Sequence, residues 1–491
     1  MSENQISCKR KGSVMASLGN KARDISFFLE AKKPAEVRKA IFKLALPAML
    51  EFFLMMLVQM IDMIQVGSLG PWAIAATGLA AQPTMLIFSV FSALVVGTTA
   101  LVARASGAGD REYACRVTRQ SFVIVLLLGV VVTAAGIPAS RTIIRLMGAD
   151  VDTIKPATIY MQIVIAGTVF TVGNMVLAAS LRSVGDVITP MISNIVANVV
   201  NIFFNWVLIN GKLGFPRLEV AGAAIATSFS RLIAFCITMH AVYARDKYIS
   251  ISIHDSYRFE PNIMRDVLNI GTPAAIEQLI MRTGALLFAR LIAGFGTIMF
   301  AAHQIAINID SLGLVPAMAF QMAATTLVGQ GIGAKKPELS EEATRQSMII
   351  SIIIMSLVGV IYFFLGKYVA IIFTRDAQVI ALGENALKIL AFSQPFAAVY
   401  FVVAGALRGA GDTKYAMYAS AIGVWAIRLV IGYILADMLN MALVGAWIAV
   451  TLDMAVRMVL VLKRFSSGIF KKYSKEYSED SDDMKALYQH C

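Results

Sequence analysis

Long apolar runs follow one another along almost the whole chain, separated by short stretches that contain Gly, Pro or charged residues. A helix needs about 20 apolar residues to cross a bilayer, and twelve runs reach that length. The runs lie near 41–66, 74–104, 117–138, 157–182, 187–210, 219–244, 264–293, 297–328, 344–365, 384–409, 415–438 and 441–463. The pattern predicts an all-α polytopic membrane protein with twelve transmembrane helices.

Segments of the first six runs recur in the second six at a distance of 226 residues, which becomes 223 near the end, where Gly222-Ala223 matches Gly445-Ala446. Three pairs of segments share the offset of 226: TALVARASGA (99–108) with TTLVGQGIGA (325–334), LRSVGD (181–186) with LRGAGD (407–412), and PAMLE (47–51) with PAAIE (273–277). Because each repeat holds an even number of helices, both copies cross the membrane in the same direction, and a pseudo-two-fold axis along the membrane normal relates them. The sequence therefore predicts two parallel six-helix bundles with a substrate site between them and alternating access as the mechanism.

The repeat and the polar ends together set the expected domain organisation. We expect a cytoplasmic N-terminal tail at 1–40, an N-lobe at 41–245, a cytoplasmic linker at 246–263, a C-lobe at 264–464 and a cytoplasmic C-terminal tail at 465–491.

The composition supports a membrane location. Of the residues, 58% are hydrophobic and 15% are charged, whereas soluble domains carry about 25% charged residues. The mean hydropathy is +0.72. Most of the 43 Lys and Arg residues lie at the two ends and in alternate loops. The positive-inside rule then places both termini in the cytoplasm, and we expect the plasma membrane as the location. The net charge of +12 follows from this topology better than from nucleic-acid binding.

Several functional classes find no support in the motifs. The N-terminal segment has no apolar core followed by a small-residue cleavage site, so we expect no removable signal peptide. The four cysteines form no close pairs, which gives no indication of a disulfide framework or a metal site. No GxxxxGK[ST] loop occurs, so we expect no ATP-driven pump and no cofactor.

Two acidic residues lie inside the first apolar run. Glu51 and Asp62 are eleven residues apart, which brings them to within roughly 20° of the same helix face. Pro47 lies one turn before Glu51 and removes a backbone hydrogen bond, so it can kink the helix. An ionised group at mid-bilayer costs about 2.5–3.5 kcal/mol, which favours a carboxylate that binds a cation or proton beside a bendable helix. The alternative is that Asp62 lies near the outer end of the helix and is simply solvated.

An amide stripe runs along the fifth helix. Its members are spaced four, three and four residues apart: Asn194, Asn198, Asn201 and Asn205. Asn side chains often hydrogen-bond between packed membrane helices, which is the structural alternative. Because two acids lie on the first helix, the stripe favours the wall of a hydrated cavity or a set of cation ligands.

The second half carries its own intramembrane polar residues, and these are further cavity candidates: Glu277, His303, Asn308, Asp310 and Gln321. On one continuous helix the spacing puts His303, Asp310 and Gln321 on a shared face. The structural alternative is that His303 is a packed core residue and that arginines neutralise the acids, for which Arg282, Arg290 and Arg428 are available.

Taken in order, several motifs resemble one known family. They are IDMIQVGSLG (61–70), TTALVARASGAG (98–109), LRSVGD with NVVNIFFN (198–205), VAGAAIATSFS (220–230), PAAIEQL, AAHQIAINIDSL (301–312), TTLVGQGIGA and LRGAGDTK (407–414). Together they are similar to the MATE family, multidrug and toxic compound extrusion, over about residues 38–465. The resemblance implies two six-helix bundles around a V-shaped cavity and export of cationic or amphipathic drugs in exchange for H⁺ or Na⁺.

By motif, the resemblance also assigns residues. Asp62 matches the helix-1 carboxylate of the N-lobe cation site, Asn201 its helix-5 amide and Thr227 its helix-6 hydroxyl, while Pro47 matches a proline linked to helix bending. Asn205 stands where some prokaryotic relatives have Asp, so the site has one carboxylate fewer. No acid lies within 385–407, where NorM-like members carry one. We therefore expect the coupling cation in the N-lobe, at Asp62, Asn201, Asn205 and Thr227.

The sequence thus favours a monomeric cation-coupled antiporter that contacts membrane lipid and small-molecule substrates. One alternative is a lipid-linked saccharide flippase of the same superfamily, although such proteins tend to have strongly cationic central cavities. A remote alternative is an integral membrane enzyme that uses His303, Asp310 and Glu277.

Overall fold

In the computed structural model, residues 26–243, 248–252, 255 and 257–476 are described. Most of the predicted N-terminal tail (1–25), part of the predicted linker and the end of the predicted C-terminal tail (477–491) lie outside these residues.

The described residues form helices and connecting turns, with no strand among them. After a single helical turn at Ser26–Leu29, the first half contains α1 (Pro34–Gly67), α2 (Pro71–Gly107), α3 (Arg111–Leu146), α4a (Val151–Ala166), α4b (Thr168–Ser183), α5 (Ile188–Asn210) and α6 (Glu219–Tyr243). The second half contains α7 (Pro261–Ala293), α8a (Thr297–Gly313), α8b (Val315–Gly333), α9 (Pro337–Phe373), α10 (Ala377–Gly409), α11 (Thr413–Met438) and α12 (Ala442–Phe465).

Within the described part of the chain, nine single helices are long and apolar enough to cross a membrane, and the bent pairs α4a/α4b and α8a/α8b bring the total to eleven. The remaining helix, α7, falls outside this group and carries five charged residues along its length: Arg265, Asp266, Glu277, Arg282 and Arg290. The structure confirms the predicted all-α polytopic membrane class.

Two helices differ from the straight spans that the apolar runs predict. The α4a–α4b junction bends by 44°, and there the Ser228 hydroxyl of α6 donates to the Ile163 carbonyl at 3.1 Å, which also accepts from Gly167 N. Ser228 therefore shares a carbonyl of the helical ladder at the bend, and side-chain contacts of this kind accompany kinks. The α8a–α8b junction bends by 42° just before Pro316, whose missing N–H and ring interrupt the helix.

The backbone reproduces the repeat at the loops. Gly70 and Gly296, which are 226 residues apart, precede α2 and α8a with φ of 118° and 105°. Gly185 and Gly411 share the same offset and have φ of 93° and 80°. These angles favour glycine, so each pair holds an equivalent turn in both copies.

The chain forms two compact units, Met1–Phe88 with Leu101–Met264, and Ser89–Ala100 with Arg265–Cys491. In the first unit, the segment before α7 lies against α3. Arg111 Nε donates to the Tyr248 carbonyl at 2.9 Å, and Arg119 and Arg116 pair with Asp255 and Glu260 at 2.8 and 3.3 Å. The second unit has a buried core around Trp447, with Phe288, Ala306, Leu387 and Leu443.

Gly271 is one of the glycines that permit close helix packing in the second unit. A Cβ on Gly271 of α7 would collide with the Ala93 carbonyl of α2. Gly271→Ala is therefore expected to lower the free energy of unfolding by about 1–3 kcal/mol, as overpacking usually does. Thermal unfolding of purified protein in detergent measures this loss. Gly78→Ala is the matched control, because a Cβ on Gly78 meets nothing within 4 Å; equal stability of the two variants would contradict the packing argument.

Candidate functional site

The Asp62 carboxylate lies in the second half of α1 and faces α5. Asn205 Nδ2 donates to Asp62 Oδ1 at 2.7 Å. The Asn201 amide fits its surroundings when its nitrogen also faces Asp62 and donates to Oδ1 at 2.7 Å and Oδ2 at 3.2 Å. Both asparagines are buried, at 4% and 1% exposed. The two amides therefore surround the carboxylate with N–H donors, the arrangement that stabilises an ionised acid in a membrane-spanning helix.

The third element of this cluster is α6. Thr227 Oγ1 lies 3.3 Å from the Asn201 amide atom that faces away from Asp62. When the Asn201 nitrogen faces Asp62, this atom is the oxygen, so the Thr227 hydroxyl donates to it. Asn205 Oδ1 is buried and has no partner among the described residues. Asp62, Asn201, Asn205 and Thr227 thus lie together, and one acceptor oxygen beside the carboxylate is available.

A small cavity of about 30 Å³ opens beside Asp62. Its lining residues are Met55, Val58, Gln59, Asp62, Asn198, Asn201, Thr227, Ser230 and Arg231. This volume has room for one or two water-sized groups. Arg231 did not emerge from the sequence reasoning. The available signal was its position one turn after Thr227, which puts it on the same face of α6.

Glu51 lies apart from this cavity and has a different set of partners. It is 7% exposed, and its Oε1 accepts from Asn194 Nδ2 at 2.7 Å and from Arg182 Nη1 at 3.2 Å. Within the asparagine stripe, Asn194 therefore joins α5 to Glu51, whereas Asn198, Asn201 and Asn205 lie at the Asp62 cluster. Pro47 lies within α1, which is one uninterrupted helix.

Glu277 occupies the equivalent position in the second unit. It is 3% exposed and forms a bidentate pair with Arg408 Nη2 at 2.8 and 2.9 Å, and Ser420 Oγ donates to its Oε1 at 2.8 Å. Tyr400 donates to the same oxygen at 3.2 Å.

The sequence separations are the same in both units. Acid and arginine are 131 residues apart in Glu51–Arg182 and in Glu277–Arg408, and the acid and its next donor are 143 apart in both. We call this acid–arginine–donor set the repeat clamp, and its presence in both units indicates that it belongs to the common fold.

The Asp62 cluster has no such counterpart. The offset of 226 carries Asp62 to Phe288, Asn201 to Ile427 and Asn205 to Ile431. The second unit therefore has apolar side chains where the first has a carboxylate and two amides. This asymmetry separates the Asp62 cluster from the features that the repeated fold requires.

A further buried ion-pair group lies among α11 and α12. Arg457 donates to both oxygens of Asp453, and both residues are 0% exposed. Arg428 pairs with Asp453 at 2.7 Å. Of the three arginines that the sequence offered as neutralising partners, Arg428 has this role with Asp453. Arg282 and Arg290 are exposed, and Glu277 is neutralised by Arg408 instead.

The remaining candidates of the second half do not form one cluster. His303 is buried among Phe288, Phe300 and Trp447, and neither ring nitrogen has a partner among the described residues. Asp310 accepts from Gln394 Nε2 at 2.9 Å. Asn308 is exposed.

The continuous helix on which His303, Asp310 and Gln321 would share a face is not present. Gln321 lies in α8b, beyond the 42° bend, and so belongs to a separate helix from His303 and Asp310. The bend at Leu314 breaks the continuous helix on which that prediction depended.

The pattern of family similarity follows the repeat. A model of the MatE family matches residues 47–207 and again residues 273–434, so each match covers one copy. The chain belongs to the MatE (MATE) family. It is therefore a multi-pass membrane transporter of a multidrug efflux family and not an enzyme, as the motif resemblance implied.

Individual MATE relatives cover nearly the whole chain. A probable multidrug resistance protein NorM of Thermotoga maritima is 33% identical over 448 residues, which span 91% of this chain and 96% of that protein. An outward-facing multidrug resistance MATE transporter of the MOP superfamily matches with a TM-score of 0.82 at 27% identity, over 88% of this chain and 96% of that one.

The description of a further structural relative concerns its binding pocket. A MOP superfamily transporter from Pyrococcus furiosus, described as having a binding pocket of reverse polarity that suggests a different function, matches with a TM-score of 0.83 at 27% identity, over 90% of this chain and 98% of that one.

Proposed function

We propose that this MATE protein is a secondary antiporter that exports cationic or amphipathic drugs in exchange for H⁺ or Na⁺. The observation that carries the proposal is the Asp62 carboxylate, which lies within a membrane-spanning helix beside a cavity and between two amides. An intramembrane acid with built-in partners marks an ion pathway by default.

The proposed cycle follows from the contacts of Asp62. When a cation or proton binds Asp62, the carboxylate loses charge and its hydrogen bonds from Asn205 and Asn201 weaken. These bonds join α1 to α5, so α1 adjusts near Pro47 and the affinity for drug falls. Because coupling between two sites is reciprocal, drug binding lowers cation affinity by the same factor, which is the condition for exchange.

The wider setting is also part of the proposal. Two lobes with parallel repeats alternate access to the two sides of the plasma membrane, with both termini cytoplasmic and the protein acting as a monomer. NorM and outward-facing MATE relatives support drug efflux and an alternating cycle. The saccharide flippase alternative implies a strongly cationic central cavity, whereas intramembrane acids, Asp62 among them, are prominent in this sequence.

Purified protein in proteoliposomes tests the function. We expect export of a fluorescent cationic drug when a pH or Na⁺ gradient is imposed, and none without a gradient. Empty liposomes and a lipid-linked saccharide substrate are the controls. Gradient-independent movement of the saccharide, with no drug export, would favour the flippase and contradict the antiporter.

A further inference from the structure

Arg231 of α6 lines the same cavity as Asp62. It interacts electrostatically with Asp62, although no hydrogen bond or ion pair within 4 Å joins it to Asp62 or to any other described residue. The guanidinium is always protonated and offers five N–H donors but no acceptor. The cavity therefore contains a fixed positive charge as well as its one carboxylate, and Tyr160 of α4a is the other described titratable residue that interacts electrostatically with Asp62.

The orientation of the amides limits what the carboxylate can bind. Asn205 and Asn201 both direct N–H groups at Asp62, so their oxygens do not point at the position where a metal cation would contact the carboxylate. Hard cations need several oxygen ligands. Besides the carboxylate, sodium would meet the oxygens of Gln59, Thr227 and Ser230 in the lining, but it would share a cavity of about 30 Å³ with a guanidinium that contributes no lone pair.

A proton makes smaller demands on the same atoms. It needs one carboxylate oxygen, and the resulting O–H group needs one acceptor. Asn205 Oδ1, buried and without a partner among the described residues, lies in the same cluster and becomes such an acceptor when the amide rotates. Protonation is thus accommodated without removing Arg231 and without assembling a ligand shell.

We propose that Arg231 is the specificity-determining residue that makes the Asp62 site respond to H⁺ and reject Na⁺. The assignment rests on the antiport function proposed above. Arg231 acts by keeping its guanidinium in the cavity that the Asp62 carboxylate lines, where a coordinated metal cation would need oxygen ligands. Removing the charge and placing an amide oxygen there, as in Arg231→Gln, makes the site able to bind Na⁺.

The test compares wild type, Arg231→Gln and Arg231→Lys in proteoliposomes with a fluorescent cationic drug, under a pH gradient alone and a Na⁺ gradient alone. We expect wild type and Arg231→Lys to export only with the pH gradient. In Arg231→Gln, the Na⁺ gradient should raise export about fivefold or more, the lower end of typical coupling. Arg217→Gln, which removes an exposed arginine, should behave as wild type.

The outcomes separate the two proposals. Export by wild type driven by Na⁺ alone would overturn the role of Arg231 and leave the antiporter standing, as would an active Arg231→Gln that ignores Na⁺. No response of wild type to either gradient would refute the antiporter itself. If Arg231→Gln fails to fold, thermal unfolding of wild type decides: equal melting temperatures in NaCl and KCl support Na⁺ rejection, and stabilisation specific to Na⁺ overturns it.

Discussion

Replacement of Asp62 by asparagine is expected to reduce drug export to the background of cells without the transporter, while the protein stays folded in the membrane. The amide keeps an oxygen that can accept from Asn205 but cannot ionise or take up a cation, so the cation gradient no longer drives export. Coupling between two sites is typically worth about 5–150-fold, and the loss in drug resistance should be of that order. Growth on a cationic drug, normalised to the amount of protein in the membrane, measures it.

The Asp62→Asn variant also has an expected effect on the stability of the protein. An ionised group in a membrane-spanning helix costs about 2.5–3.5 kcal/mol, so Asp62→Asn should be as stable as wild type or more so. Asp152→Asn is the matched control, since Asp152 is exposed at the start of α4a and should leave resistance unchanged. A folded variant that keeps full resistance would refute a coupling role for Asp62, and a variant that unfolds would contradict the expected stability.

Replacement of Arg408 by glutamine is expected to lower the free energy of unfolding by about 3–5 kcal/mol, because it leaves the buried Glu277 carboxylate without its counter-charge. Glu277 is 3% exposed and pairs with Arg408 through both oxygens. Denaturant or thermal unfolding in detergent measures the loss. Arg282→Gln is the control on α7, since Arg282 is exposed and should have little effect.

The double variant Glu277→Gln with Arg408→Gln distinguishes a paired clamp from two independent contacts. Removing both charges abolishes the unpaired carboxylate, so the double variant should recover much of the stability that Arg408→Gln loses, with an interaction energy that a double-mutant cycle reports. Additive losses would show that the repeat clamp does not act as a pair.

Features that depend on the repeat could be predicted from the sequence. The offset of 226 identified Glu51 and Glu277 as equivalent, and helical spacing placed Asn201 and Asn205 on the face of α5 that meets Asp62. The repeat also contained Arg182 and Arg408 within LRSVGD and LRGAGD, so the partners of both acids lay inside motifs already aligned. They were missed because a loop-side arginine is first taken as part of the basic cytoplasmic fringe.

Features that depend on tertiary contacts were harder to predict from the sequence. Pro47 lies in an uninterrupted helix, whereas the bend at Gly167 arises where Ser228 of another helix competes for the Ile163 carbonyl. No local sequence pattern predicts the contact between Ser228 and Ile163. Asp453 and Arg457 did have a local signal, an acid followed four residues later by an arginine in an apolar helix, but their joint burial appears only when α12 packs.

The central claim is that the protein exchanges a cation for drug through cation binding at Asp62. Simultaneous recording of the cation flux and the drug flux tests this claim most directly. In proteoliposomes that carry a fluorescent cationic drug, internal pH and internal Na⁺ are followed alongside drug export for wild type and Asp62→Asn. The account predicts that wild type moves drug and cation in opposite directions with matched time courses and that Asp62→Asn moves neither above the empty-liposome baseline. Matched drug and cation fluxes in Asp62→Asn at the wild-type rate would contradict it.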